Sequence, residues 1–198
     1  MQVHSFKKMI DRIKYIAIVT FAFLLVFPAT SPAIYLKVVR VYDGDTVRAA
    51  GQDIEIKVRL AGIDAPETPK RKHQPGQPFS DVSKKFLAGL VLNKNVEIKG
   101  YGLGPNNRII GEIFVDGKNI NLEMIRAGLA EVYRGKSPSA LDLESYRRLE
   151  TEARNSGRGV WSQGSHYTSP KAWRKIQRTL IKRISRLLFV LPASSQPR

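Results

Sequence analysis

Between Asp53 and Leu60 the chain reads DIEIKVRL, with Ile54, Ile56, Val58 and Leu60 alternating against Glu55, Lys57 and Arg59. A period of two is a strand with one face in a core, so Arg59 points to the other side. Gly62 and Pro66 stop the strand. The pattern recurs at short spacing in IYLKVVRVY (34–42), TVRAAG (46–51), NVEIKG (95–100) and RIIGEIFVDGKNI (108–120), with turns at Asp43-Gly44-Asp45 and Asp116-Gly117. A helical segment, FSDVSKKFLAGLVL (79–92), follows the third strand. It carries Phe79, Val82, Phe86, Leu87 and Leu90 at helical spacing and starts near Pro78 or Ser80. Two further helices are expected: NLEMIRAGLA (121–130), stopped by Gly128, and a longer one over 139–161, capped by Ser139, ended near Gly157 and followed by Trp161 folding back on the core. Five short strands with a helix inserted after the third predict an α+β fold: a small five-stranded OB-type β-barrel with about three helices.

The chain has 198 residues, enough for one domain with appendages. It divides into residues 1–33, a domain over 34–164, and a tail over 165–198. The net charge of +16 is uneven: +3, +5 and +8 in those three parts. Such a balance favours a polyanionic partner, nucleic acid or an anionic membrane. With no cysteine, disulfides and thiolate metal sites are excluded, and His4, His73 and His166 are too scattered for a local zinc motif. A metal here is a hard ion held by oxygen.

The first 33 residues start basic, run apolar from Tyr15 to Phe27 and end in Ser31-Pro32-Ala33. That is the grammar of a secretory signal, cleaved after Ala33. Its helix would span roughly 20 Å, short of the ~30 Å hydrocarbon core; an uncleaved anchor and a buried helix are the other readings. A signal or an anchor puts the domain outside the cytoplasm. At the other end, Trp173, Ile176, Leu180, Ile184 and Leu187 share one helical face amid seven basic residues. A basic amphipathic helix over 170–191 suits three roles: packing on the domain, an anionic membrane surface, or retention of nucleic acid.

The chemistry concentrates in VYDGDTV (41–47) and IKVRLAGIDAPE (56–67). Asp43 and Asp45 flank Gly44, and Asp64 and Glu67 follow Asp45 by 19 and 22 residues. Strand pairing could bring these acids together. Two or three carboxylates with a backbone carbonyl and waters suit Ca2+. Arg59 and Arg108 supply forked donors for a phosphate, and a remaining carboxylate such as Glu67 can take a proton from water. Together these would hydrolyse a phosphodiester. Each residue also has an ordinary reading: Asp-Gly is a common hairpin signal, Asp64 and Glu67 suit a polar loop, and Arg59 suits a solvated strand face.

Those segments, with GQPFSDVSKKFLAGLV, GEIFVDGKNINLEMIRAGLAEVY and TEARNSGRGVW, resemble the thermonuclease (staphylococcal nuclease-like) family, collinearly from about Val38 to Trp161. The resemblance implies an OB-type barrel with three helices that cleaves DNA and RNA using one calcium ion. It implies that Asp45, Asp64 and the Ala65 carbonyl hold Ca2+, with Asp43 a nearby acid. Glu67 matches the family's general base or water-orienting carboxylate, and Arg59 and Arg108 its phosphate-binding arginines. The implied products carry 3′-phosphates. The sequence departs from the family pattern just before Arg108, where Asn106 and Asn107 stand in place of the family's Tyr-Gly. Tyr101 and Tyr133 could replace the missing tyrosine, although packing roles suit both. His73 reads as a solvated residue or a phosphate contact. Two rival readings remain: a non-catalytic nucleic-acid-binding module, and a membrane-tethered scaffold.

Overall fold

The computed structural model describes residues 34–69 and 74–190, with residues 12 and 14. Apart from Arg12 and Lys14, the expected signal or anchor segment falls outside the described residues, as do His73 and the extreme C-terminus.

Strand β1 (Ile34–Val41) turns through Asp43-Gly44-Asp45 into β2 (Thr46–Ala50), which pairs antiparallel with β3 (Glu55–Leu60). After the two-residue β4 (Ile63–Asp64) and helix α1 (Ser80–Val91) come β5 (Asn95–Gly104) and β6 (Arg108–Val115). The sheet order is β3-β2-β1-β5-β6, extended by the short β7 (Lys118–Asn119), and parallel pairing of β3 with β6 closes a five-stranded barrel. Helix α2 (Ile120–Arg126), strand β8 (Glu131–Val132), helix α3 (Leu143–Asn155) and helix α4 (Pro170–Val190) complete the fold, with β8 paired to β4.

The barrel interior is filled by the apolar half of each alternating strand: Val38, Val47, Val58, Leu60, Val96 and Ile113 are all buried. Ile54, at the open start of the third strand segment, stays half exposed. The α1 face meets the expected stripe in part: Phe79, Leu87 and Leu90 pack in the core, whereas Phe86 is exposed. Val82 is exposed, and Ser80, Ser83, Leu87 and Val91 are the buried positions. Ser83 faces the barrel because its small side chain permits a close approach: a Cβ at Gly44 would stand 1.9 Å from Ser83 Oγ and 2.7 Å from Ala65 Cβ. Gly44 is thus required by proximity, and it lets the acidic turn lie on the Ala65 loop.

Helix α2 is capped by Asn119, whose side-chain oxygen accepts from Leu122 N–H at 3.2 Å. It ends at Gly128, where φ is +67° and a Cβ would meet the Arg158 carbonyl oxygen at 2.2 Å. Helix α3 begins later than expected. Its cap is Asp142, not Ser139, because Asp142 accepts from both the N–H and the hydroxyl of Ser145. Trp161 does fold back, packing with Ala153, Val160 and Tyr167 under the Arg154 guanidinium.

Candidate active site

Three structural features put the charged residues together. The first is the β1–β2 turn. Tyr42 N–H bonds the Thr46 carbonyl, and Asp45 N–H donates to Asp43 Oδ1 at 3.1 Å. Asp45 then reaches across to the next acidic segment, because its Oδ2 accepts from Ala65 N–H at 2.8 Å. The second is the β2–β3 register, which sets Thr46 opposite Arg59. The third is closure of the barrel, which sets Arg59 beside Ile110 in parallel strands. Residues two apart in a strand share a face, so Arg108 lies on the same side as Arg59.

Arg59 does point away from the barrel interior, but not into solvent. Its side chain is 15% exposed, forked between Asp45 and Asp64. Nη2 donates to Asp64 Oδ1 at 3.0 Å, and Nη1 pairs with Asp45 Oδ2. Burial pulls its pKa down, and Asp64 and Asp43 counter that pull. Asp43 is pushed above the usual carboxylate range by burial, against the opposing influence of Arg59.

Asp43, Asp45, Arg59, Glu67 and Arg108 line one cleft of about 630 Å³. Asp64, 2% exposed, lies behind it and is reached through Arg59. The sequence-predicted residues therefore converge. Glu67 is set by Gln77, which accepts from Glu67 N–H through its side-chain oxygen and donates its own N–H to the Glu67 carbonyl.

The Asn106-Asn107 departure has a local explanation. The β5–β6 hairpin turns through Pro105-Asn106-Asn107, and both asparagines have positive φ, 60° and 52°. Asparagine tolerates that region better than other side chains do. The turn holds Arg108 with its Nε donating to the Pro105 carbonyl at 3.1 Å. Of the two tyrosines, Tyr101 donates to Glu112 at 2.5 Å and belongs to the scaffold, whereas Tyr133 is 39% exposed and lines the cleft.

Several participants were not legible as site residues. Arg174, from α4, donates to both oxygens of Asp64, at 3.0 and 2.7 Å, and to Glu67 Oε1 at 2.6 Å. Nothing in its sequence context separates it from the other basic residues of that helix. Its charge is held firmly: hydrogen bonding to Asp64 raises its pKa above the ordinary arginine value. Tyr42, next to Asp43, collects Lys57, Arg40 and Arg48 at 4.2, 4.8 and 5.6 Å from its ring centre. This is a cationic patch beside the cleft.

The donor set tests whether a metal suits the site. All available acidic ligands are hard oxygens, and four carboxylates face the two strand arginines, an excess that suits a divalent cation. Among the described residues no group of three or more Asp, Glu or His side chains is gathered at coordinating distance. Asp45 and Asp64, the two acids that share Arg59, are each held by an arginine in this arrangement.

The family model described as "Staphylococcal nuclease homologue" matches residues 57–163. A protein of Escherichia coli named "Uncharacterized endonuclease" is 35% identical over 162 residues, covering 81% of this chain and 97% of its own. Proteins named "Probable endonuclease LCL3" are 37% identical over 139 residues in Debaryomyces hansenii and 35% over 136 in Paracoccidioides lutzii. Those alignments cover 66% and 62% of this chain, but only 58% and 39% of the fungal proteins. By the family model's span over more than half of its length, and by a bacterial relative matched almost end to end, this chain belongs to the staphylococcal nuclease homologue family.

Proposed function

We propose that this protein is a metal-dependent nuclease that hydrolyses phosphodiester bonds of DNA and RNA, with Ca2+ as the metal and 3′-phosphorylated products. The observation that carries the reading is the convergence of Asp45, Glu67, Arg59 and Arg108 on one cleft, with Asp64 directly behind Arg59. Asp45, Asp64 and the Ala65 carbonyl would hold the ion, which supplies a positive charge against the charge that builds on the phosphoryl oxygens. Glu67 takes a proton from a water as its oxygen attacks phosphorus in line. Arg59 and Arg108 bind the non-bridging oxygens and are worth most as negative charge develops there. The 5′-oxygen leaves opposite the attacking water and takes a proton from solvent. Tyr133 offers a face for a base next to the scissile bond, and the patch around Tyr42 gives the strand a cationic path out of the cleft.

An extracytoplasmic site of action rests on residues 1–33, whose basic start, apolar run and small-residue end suit export. Among the described residues no helix is long and apolar enough to cross a membrane. On α4, Ile176, Leu180 and Ile184 are 45–56% exposed. Such a stripe amid basic residues supports contact with an anionic membrane surface.

The test is the full chain beside Glu67→Gln, each incubated with single-stranded DNA in calcium or in chelator, with product ends mapped. Cleavage should require calcium, leave 3′-phosphates and fall by about 10²–10⁴ in the variant while binding persists. DNA bound by both proteins and cut by neither would instead indicate a non-catalytic binding module.

A further inference from the structure

We propose that Arg174 is a tethered cation that competes with the divalent ion for Asp64 and Glu67, so that α4 must let go of these carboxylates before metal can bind. The inference rests on the metal-dependent reading above. Its basis is geometric. One guanidinium spans Asp64 through both of its terminal nitrogens and reaches Glu67 with one of them. A planar fork matched to a carboxylate in this way is the strongest form of such a pair. Only 24% of the Arg174 side chain and 3% of the Asp64 side chain are exposed, so solvent screens the contact weakly. Arginine cannot shed its proton to leave, so the contact opens by movement of the side chain or of the helix, not by neutralisation.

The surrounding contacts position the helix for this. Gln77, which also holds the Glu67 loop, donates from Nε2 to the Thr168 carbonyl at 2.6 Å. Gln74 donates to Gln177 at 2.6 Å, and Tyr167 to Glu131 at 2.7 Å. These polar contacts bracket Arg174 on both sides along the chain. The carboxylates that the arginine occupies are a proposed ligand (Asp64) and the proposed base (Glu67). While Arg174 donates to Glu67 Oε1 at 2.6 Å, that oxygen is engaged by the guanidinium. The charge count agrees. Four carboxylates face Arg59 and Arg108, and Arg174 cancels one of the two excess negative charges that would otherwise attract a divalent ion.

Calcium alone is the probe. Isothermal titration of the full chain compares wild type, Arg174→Gln, Arg174→Lys and Arg178→Gln, an exposed arginine one turn along the same helix. Competition predicts that Arg174→Gln binds calcium at least about tenfold more tightly, which corresponds to about 1.4 kcal/mol. Arg174→Lys should fall between, because a lysine keeps the charge without the fork. Arg178→Gln should match wild type. Calcium should also raise the melting temperature of Arg174→Gln more than that of wild type. Equal or weaker calcium binding by Arg174→Gln overturns the proposal and leaves the nuclease reading intact. No calcium binding by any of the four overturns both.

Discussion

Asn121 offers the most direct test of how the fold sets the site. It is fully buried, and its amide completes the closing seam of the barrel. Nδ2 donates to the Ala61 carbonyl at 2.9 Å and to the Gly111 carbonyl at 3.2 Å, while Oδ1 accepts from Ile113 N–H at 3.1 Å. Ala61 follows the strand that carries Arg59, and Gly111 and Ile113 lie on the strand that starts with Arg108. Asn121→Ala leaves the Gly111 carbonyl its bond from Ala61 N–H at 2.7 Å, but removes the side-chain partner of Ile113 N–H and of the Ala61 carbonyl. A buried backbone group left unpaired costs about 1–3 kcal/mol, so the variant should lose about 2–6 kcal/mol, a large part of a typical domain's stability. Asn121→Asp keeps the acceptor and loses the donor, and it buries a charge facing two carbonyl oxygens. Its carboxyl is therefore raised in the fold, and stability is lost as pH rises through that folded value. Urea unfolding at neutral and acidic pH measures both variants. A loss below about 1 kcal/mol for Asn121→Ala, or an Asp variant that is no worse at neutral than at acidic pH, would refute the reasoning.

Other outcomes follow from single contacts. Asn107→Val puts a branched side chain into a left-handed turn, at roughly 1–2 kcal/mol or more; it should weaken phosphate binding, whereas Asn106→Gly with Asn107→Gly should not, as oligonucleotide titration and thermal melts would reveal. Tyr133→Ala should cost about 1–3 kcal/mol in single-strand binding if the ring stacks on a base, measured by fluorescence anisotropy, and unchanged affinity would assign the ring to packing. Asp142, the cap of α3, is held below its usual value of 3.8 by hydrogen bonds from Ser145. A depressed carboxylate stabilises above its unfolded pKa and loses that contribution as pH falls through its folded value. The stability gap between wild type and Asp142→Asn should therefore be constant near neutrality and shrink below about pH 3.8.

Local signals in the sequence determined much of this protein. Alternation over 53–60 and its repeats announced the strands, Gly128 announced a helix end, and Asp43-Gly44-Asp45 announced a turn, because each depends on neighbours within a few residues. The acids and arginines of the cleft could be named for the same reason: they sit at the ends of those strands. Only the tertiary structure decided what surrounds them. The ordinary reading of Arg59 as a solvated strand residue fails because the β2–β3 register and the turn after β3 bring Asp45 and Asp64 to its guanidinium. Of the apolar stripe expected on α1, Phe79, Leu87 and Leu90 reach the core while Val82 and Phe86 do not, and Ser83 takes the position against Gly44, where close packing favours a small side chain. Asn121 looked like any polar residue at the start of a helix until β3 and β6 met beside it. Arg174 is the furthest case. Its contacts with Asp64 and Glu67 span 110 and 107 residues of sequence, and no local pattern distinguishes one arginine of a basic helix from the next. Periodicity sets which face a side chain takes, but its partner across the molecule depends on where the chain returns.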